Sequence, residues 1–269
     1  MGVAELELLK VAEQVAAETA ELVRSVRASM TDGQDVEVRT KTSETDVVTA
    51  ADQQAERLVR ARLAELRPDE PVLGEEQGGV EGSGIRWVID PIDGTVNFLY
   101  GFPWYAVSLA AQVDGVSVAG AVIEPDSGRR WTAARGHGAW LDGRRLRVGQ
   151  PSKLAHALVI TGFSYLPERR ARQAEMVTGL LGRVRDIRRS GSASLDLCAV
   201  AAGWADGYVE HGLHRWDWAA GALVAAEAGA VVNLPEEHPE LGGDATIAAA
   251  PSIHSELYQA ALDCGIDKV

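Results

Sequence analysis

The sequence predicts an α/β chain of the α+β kind: helices and an antiparallel sheet first, then a smaller α/β unit. Three observations carry this. Two helix-period stretches occupy the N-terminal part, a run of short strand-like segments follows them, and helix and strand then alternate to the end. The change of pattern falls near Gln150-Pro151, so residues 1–150 read as one subdomain and residues 151–269 as a second.

Each element has a local reason. Leu8, Val11, Val15, Leu22 and Val26 keep helical spacing over Glu5–Met30, and Gly33 follows as a breaker. A second helix begins near Thr49, where Thr49 and Asp52 form a T-x-x-D cap, and Pro68 and Pro71 end it. Strand-like runs follow at Arg86–Asp90, Val107–Val113 and Val116–Ile123. The Asp114-Gly115 pair between the last two is a hairpin signal, since both positions tolerate φ > 0. Shorter strands are expected at Arg130–Ala134 and Ala139–Leu141. Beyond Pro151 the expected order is strand (Ala157–Thr161), helix (Pro167–Leu181), strand (Val184–Arg188), helix (Ser192–Ala202) and strand (Gly207–Glu210). A helix (Trp216–Ala228), two strands (Val231–Leu234, Thr246–Ala250) and a closing helix (Ser252–Leu262) complete it. Ala and Gly carry much of the apolar content, which predicts closely packed helices.

Composition excludes several functions. The chain has 269 residues, 26 Lys plus Arg against 39 Asp plus Glu, and a formal charge of −13. That surplus argues against a nucleic-acid or anionic-membrane surface, both of which need clustered positive charge. The Arg169, Arg170 and Arg172 group and the Arg183–Arg189 run therefore read as solvated faces or subunit contacts. No apolar run approaches the roughly 18 residues of a membrane span, and the N-terminus lacks a basic leader. The two cysteines, Cys198 and Cys264, form no C-x-x-C pair. A reduced, cytoplasmic setting is the expectation.

The chemistry concentrates in Asp90-Pro91-Ile92-Asp93-Gly94-Thr95, where an apolar strand runs into two carboxylates. Asp90 stands at a strand end, Pro91 stiffens the turn, and Asp93 converges with Asp90 if the chain turns. Gly94 permits close backbone approach, and the Gly94 and Thr95 amides could open a short helix and cradle phosphate. The acids stand at positions 1 and 4, not at positions 1, 3 and 5 as in an EF-hand loop. D-x-x-D also differs from the D-x-D of aspartyl-phosphate enzymes. A strand-end cap and a metal site remain equally open for this stretch alone. Other carboxylates lie nearby in sequence or at element starts: Glu75 in Gly74-Glu75-Glu76, Asp46 before Val47-Val48-Thr49, and Asp217 after Trp216. Asp217 alone reads equally as a first-turn helix acid. Glu76, on a strand beside Glu75, would point elsewhere. Together such acids would be costly without cations, and oxygen-only ligands favour Mg²⁺.

Gly74-Glu75-Glu76, Asp90-Pro91-Ile92-Asp93-Gly94-Thr95 and Trp216-Asp217 with Ala219-Ala220-Gly221, in this order and spacing, closely resemble the inositol monophosphatase family. Lys41, Asp46-Val47-Val48-Thr49, Asn97-Phe98, Gly191-Ser192-Ala193 and Glu210 support the resemblance, which spans about Val11 to Leu262. It implies a layered α/β/α/β/α fold, a homodimer, and a lithium-sensitive phosphomonoesterase with two to three Mg²⁺ per subunit. It implies that Glu75, Asp90 and the Ile92 carbonyl hold one ion, Asp90, Asp93 and Asp217 a second, and Glu75 with water a third. Thr95 paired with Asp46 would orient the attacking water, the Gly94 and Thr95 amides would bind phosphate, and Glu210 with the segment around Ala193 would contact the alcohol. The implied substrate is myo-inositol 1-phosphate. Alternatives are histidinol phosphate, a sugar bisphosphate, a phosphoadenosine phosphate or NADP, or a transcription-machinery partner role. A carboxylate at Glu210 favours a polyol. Trp218, Trp104, His211 and Arg215 depart from the common pattern near the expected substrate loop; Trp104 and Trp218 are the candidates for substrate contact. His211 and His214 read as loop residues with ordinary hydrogen bonds.

Overall fold

The computed structural model describes residues 2–31, 38–40, 47–79 and 83–269. Helix α1 (Gly2–Thr31) leads through the short antiparallel pair β1 (Val38–Thr40) and β2 (Val47–Thr49) into α2 (Ala50–Leu66). The expected cap of α2 is present and reciprocal: Thr49 Oγ1 accepts from the Ala51 and Asp52 amides, and the Asp52 carboxylate accepts from the Thr49 amide. Gly33, Lys41 and Asp46 lie outside the described residues.

A seven-stranded sheet follows. Its strands are β3 (Val72–Gly74), β4 (Ile85–Asp93), β5 (Ala106–Val113), β6 (Val116–Ile123), β7 (Arg130–Ala134), β8 (Gly138–Leu141) and β9 (Arg144–Arg145), in sequence order across the sheet. Only β3 and β4 are parallel; the rest is a meander. The β5–β6 turn has Asp114 at φ 49° and Gly115 at φ 84°, the left-handed pair that the hairpin signal predicts. Side chains alternate between two cores, as a strand period of two requires. Trp87, Ile89, Val107 and Leu109 pack against α1 and α2, while Val88, Ala106 and Ala110 face the opposite way. Between β4 and β5 the single-turn-and-a-half helix α3 (Thr95–Tyr100) caps the edge of the site.

The chain passes to a second sheet between Arg145 and Leu158. The remaining elements are β10 (Leu158–Thr161), α4 (Pro167–Leu181), β11 (Asp186–Arg188), α5 (Ala193–Ala201), β12 (Gly207–His211), α6 (Arg215–Glu227), β13 (Val231–Asn233), β14 (Ala245–Ala249) and α7 (His254–Asp263). The sheet order is β11-β10-β12-β14-β13, with β10 parallel to both neighbours and β14 antiparallel to both of its own. Helices α5 and α6 lie between the two sheets and share one core with both. Helices α4 and α7 cover the far face of the small sheet through Met176, Leu180, Leu257 and Ala261. The layers are therefore α/β/α/β/α. Small residues set the middle layer: a Cβ on Gly221 would lie 2.9 Å from the Ser194 carbonyl oxygen, and one on Gly120 would lie 3.1 Å from Ala220 Cα. Among the described residues no helix is long and apolar enough to cross a membrane.

Candidate active site

Strand β4 runs through Pro91 to Asp93, further than expected, and its register against β5 slips on the way. Asp90 pairs with Ser108 and Asp93 with Ala106, so three steps on β4 oppose two on β5. Residues three apart on a regular strand point to opposite faces; the extra residue of this bulge puts Asp90 and Asp93 on one side. Both line a crevice of about 670 Å³ at the strand's C-terminal end, with Glu75, Thr95, Asp217 and Glu210.

Gly94 sits at φ 95°, and a Cβ there would come within 3.1 Å of the Gly191 and Trp104 carbonyl oxygens, so only glycine fits this turn. The turn starts α3 at Thr95. The Thr95 hydroxyl lies 3.1 Å from the Ile92 carbonyl and 3.2 Å from Asp52 Oδ1. The expected partner, Asp46, lies outside the described residues; the acid found on Thr95 is the capping acid of α2. Glu75 lies just past β3, its amide donating to the Ile89 carbonyl at 3.3 Å, and its carboxyl hydrogen-bonds that of Asp90. Glu76 belongs to the same turn rather than to a strand, and its amide donates to Glu56 Oε2 at 2.7 Å. β3 ends at Gly74, which is why strand alternation does not apply there.

Asp93 is held by four donors. Ser192 Oγ (2.7 Å), the Ala193 amide (3.2 Å), the Ser194 amide (2.7 Å) and Ser194 Oγ all donate to it from the start of α5. In the segment expected to contact the alcohol, the Ala193 amide thus rests on Asp93. Asp217 is at once the first-turn acid of α6, accepting from the His214 amide at 2.6 Å, and a wall of the crevice. Its capping role and its place in the site coexist.

Among the described residues no three His, Cys, Asp or Glu side chains already close on one metal-sized point. The crevice acids do share a field. Burial, foremost, and then the charges of Glu75, Asp93 and Asp217 push the Asp90 carboxyl well above the usual range. Burial and the charges of Glu75 and Asp93 do the same to Asp217. Burial also raises Asp93, opposed by its Ser194 and Ser192 donors. Oxygen donors packed so that their charges raise the proton affinity of Asp90 and Asp217 are a set that a hard divalent cation would relieve, so the chemistry of the donors fits Mg²⁺.

The far half of the crevice is built from the 162–166 loop, Arg169, Arg189, Glu210 and residues 211–214. Glu210 accepts from Tyr208 at 2.6 Å, and burial raises its carboxyl to about 7 against the pull of Tyr208 and Arg189. A Cβ on Gly162 would fall 2.0 Å from that carboxylate. His211 is buried with Nε2 on the Leu241 carbonyl at 3.0 Å, and His214 stacks on Trp216. Neither Trp104 nor Trp218 lines the crevice: Trp104 donates to Asp196 at 3.1 Å, and Trp218 is buried under the Arg215 guanidinium. Trp216 lines it instead. Arg169 also departs from expectation, since it turns inward to the crevice and pairs with Asp244. Sequence reasoning had no signal for the 162–166 loop or Arg189. It had one for Asp52 and Glu56, whose i,i+4 spacing puts two acids on one face of α2.

By its family and its relatives the chain is a phosphoric monoester hydrolase. The profile of the inositol monophosphatase family matches residues 5–265, and the chain belongs to that family. An inositol-1-monophosphatase of Mycobacterium leprae is 51% identical over 267 residues, covering 93% of this chain and 91% of its own length. The solved structure of Mycobacterium tuberculosis SuhB superposes with a TM-score of 0.84 at 46% identity, covering 97% of this chain and 98% of that one. A Pasteurella multocida protein named as a Nus factor, SuhB, is 40% identical over 230 residues, 84% of this chain and 86% of its own.

Proposed function

We propose that the chain is a Mg²⁺-dependent phosphatase of a small phosphorylated polyol, with myo-inositol 1-phosphate as its best substrate. The observation that carries this is the convergence of Asp90, Asp93, Asp217 and Glu75 in one crevice, where the charges of the other three all raise the proton affinity of Asp90. In this reading Glu75, Asp90, the Ile92 carbonyl, Asp93 and Asp217 hold two to three Mg²⁺. Bound magnesium would neutralise the phosphate and lower the pKa of a water molecule. Thr95 would accept a hydrogen bond from the attacking water while passing its own hydrogen to a carboxylate. That carboxylate is Asp52 among the described residues, with Asp46 the partner that the family resemblance implies. The Gly94 and Thr95 amides would bind phosphate oxygens. Glu210 would accept hydroxyl hydrogens of the polyol and disfavour a second phosphate. The Ala193 amide would join it, shared between the alcohol and Asp93. A lithium-sensitive, cytoplasmic homodimer completes the proposal.

The test is phosphate release from a panel of inositol 1-phosphate, histidinol phosphate, a sugar bisphosphate, a phosphoadenosine phosphate and NADP, with and without Mg²⁺ and Li⁺. Inositol 1-phosphate should give the highest kcat/KM, and millimolar Li⁺ should inhibit. Asp93→Asn, folded by circular dichroism, should lose at least about 10²–10³-fold in kcat, the scale of removing one charge-stabilising group. A near-wild-type rate in that variant would remove Asp93 from the site. Preference for histidinol phosphate would overturn the substrate.

A second reading, a partner of the transcription machinery, is favoured by the Nus-factor name of the Pasteurella relative. The net charge of −13 weighs against direct RNA contact. Affinity capture with the catalytically silent Asp93→Asn chain should recover polymerase or ribosomal proteins if that reading holds, and none if it does not.

A further inference from the structure

Strand β12 sends Tyr208 and Glu210 to one face, since residues two apart on a strand share a side. Tyr208 is fully buried in the core that α5 and α6 share with both sheets, while Glu210 reaches the crevice. The Tyr208 hydroxyl donates to Glu210 Oε2 at 2.6 Å, so the polar atom of a core residue is spent on a crevice carboxylate. β12 lies between β10 and β14, and the carboxylate leans to the β10 side. There it fills the space that a side chain at position 162 would take. A Cβ on Gly162, just past β10, would fall 2.0 Å from Glu210 Cδ and from both carboxylate oxygens. On the β14 side, Thr246 pairs directly with Glu210 in the ladder, yet its buried hydroxyl has no hydrogen-bond partner among the described residues. Arg189 acts on the same carboxylate through its charge.

Packing alone does not ask for this arrangement. A phenylalanine would fill the same core space without bringing a hydroxyl that has to be satisfied. A carboxylate on β12 could also turn to the Thr246 hydroxyl across the ladder. The lean over Gly162 and the bond to Tyr208 instead fix one rotation of the carboxyl group. Oε2 is taken by the phenol, and Oε1 is left for a hydroxyl in the crevice. Burial, and then the charges of Glu210 and Asp196, push the Tyr208 phenol well above its ordinary range, so it keeps the hydrogen that it donates. We propose that Gly162 and Tyr208 set the selectivity of the crevice for a hydroxylated alcohol: Gly162 leaves the space that the Glu210 carboxylate occupies, and Tyr208 is the positioning residue that holds it there. This rests on the reading of Glu210 as the contact to the alcohol. The gain is discrimination. A polar group fixed beforehand to receive a substrate hydroxyl rejects the analogue that lacks it, because the group is then left unpaired.

The test compares two phosphates on the same carbon ring: inositol 1-phosphate, and cyclohexyl phosphate, which has no hydroxyls. kcat and KM are measured on the full chain at saturating Mg²⁺ and at pH 8, above the value of about 7 to which burial raises Glu210. Tyr208→Phe keeps the ring and removes the hydroxyl. It should raise KM for inositol 1-phosphate about tenfold with kcat within about twofold, the scale of losing a hydrogen bond to a charged group. Its kinetics on cyclohexyl phosphate should stay within about twofold of wild type, since no hydroxyl is there to be received. Gly162→Ala displaces the carboxylate by another route. The backbone at 162 is not in the left-handed region, so alanine fits it, and the preference for inositol 1-phosphate in kcat/KM should fall as in Tyr208→Phe. In a Glu210→Gln background, Tyr208→Phe should add less than about twofold, because two residues that act through one group are not additive. A purely structural tyrosine would instead lower both substrates alike and add its effect to that of Glu210→Gln. An unchanged preference in either folded variant overturns the proposal, as does an equal loss on both substrates or an additive double variant. If the wild-type chain itself does not prefer inositol 1-phosphate to cyclohexyl phosphate, the reading of Glu210 fails and the proposal falls with it, an outcome that the wild-type control identifies on its own.

Discussion

Glu210 lines the crevice at a cost to the fold. Its carboxylate is crowded by the Gly162 backbone, capped by Tyr208 and faced by Arg189. Burial raises it from its ordinary 4.5 to about 7. The folded chain therefore binds a proton between those values that the unfolded chain has lost, and stability falls as pH rises through that window. Below about 4.5 both states are protonated and there is no penalty; above about 7 it is complete. Glu210→Gln should accordingly stabilise the metal-free protein at pH 8, by up to about 3 kcal/mol at 1.36 kcal/mol per unit. The gain should fade toward pH 4. Urea unfolding in EDTA at the two pH values measures it, and a ΔΔG independent of pH would show that the carboxylate is not held in its neutral form. The same variant should raise KM for a polyol phosphate, because an amide cannot accept from two hydroxyls as a carboxylate can.

At the scale of elements, the middle layer links packing to chemistry. Gly221 of α6 lies under Ser194 of α5, and Ser194 holds Asp93 with both its amide and its hydroxyl. Gly221→Ala would place a methyl 2.9 Å from the Ser194 carbonyl and 3.0 Å from Leu197 Cβ. It should cost about 1–3 kcal/mol by overpacking and lower kcat, since the strain is relieved by moving the residue that orients Asp93. Thermal unfolding and steady-state kinetics on the one variant check both halves; an unchanged Tm would mean that the two helices part without resistance. The long elements were legible because their burial repeats many times. α4 spans Pro167–Leu181 as the pattern predicts, and the Asp114-Gly115 turn falls where its backbone demands. The three-residue strands β1, β2 and β3 were not, whereas β11 and β13, equally short, follow helices whose own pattern marks where the strands fall. The crevice acids Asp90, Asp93 and Asp217 were legible as a spaced motif, yet their supports were not. Ser192 and Ser194 reach Asp93 from about a hundred residues away, and Asp52 looked like a cap because it is one. Local rules describe what a residue does to its own helix; only the tertiary fold shows what its second oxygen touches. Trp216 and Trp218 make the same point, since helical rotation alone decides which of the two faces the crevice and which the core.

For the whole molecule, the crevice lies where the layers meet: β4 and α3 come from the large sheet side, β12 from the small sheet, and α5 and α6 from between them. Its acids cost stability in the absence of cations. Asp90 and Asp217, raised by burial and by neighbouring acids, bind protons in the folded chain at pH values where the unfolded chain has released them. The sign is the same as for Glu210: metal-free stability should fall as pH climbs from the ordinary carboxylate range toward these raised values. Mg²⁺ and protons relieve the same repulsion, so they should compete. Mg²⁺ at about a hundred times its Kd should stabilise the chain by about 2.7 kcal/mol, most fully near pH 8 and less near pH 5, where protons already occupy the acids. Differential scanning calorimetry across a Mg²⁺ and pH grid measures this. Asp93→Asn should flatten the Mg²⁺ response and also lessen the pH dependence in EDTA, because it removes one of the charges that raise Asp90 and Asp217. A Tm at pH 8 that ignores Mg²⁺ would mean that the −13 surplus of the chain is surface charge alone and that the crevice acids are settled among themselves.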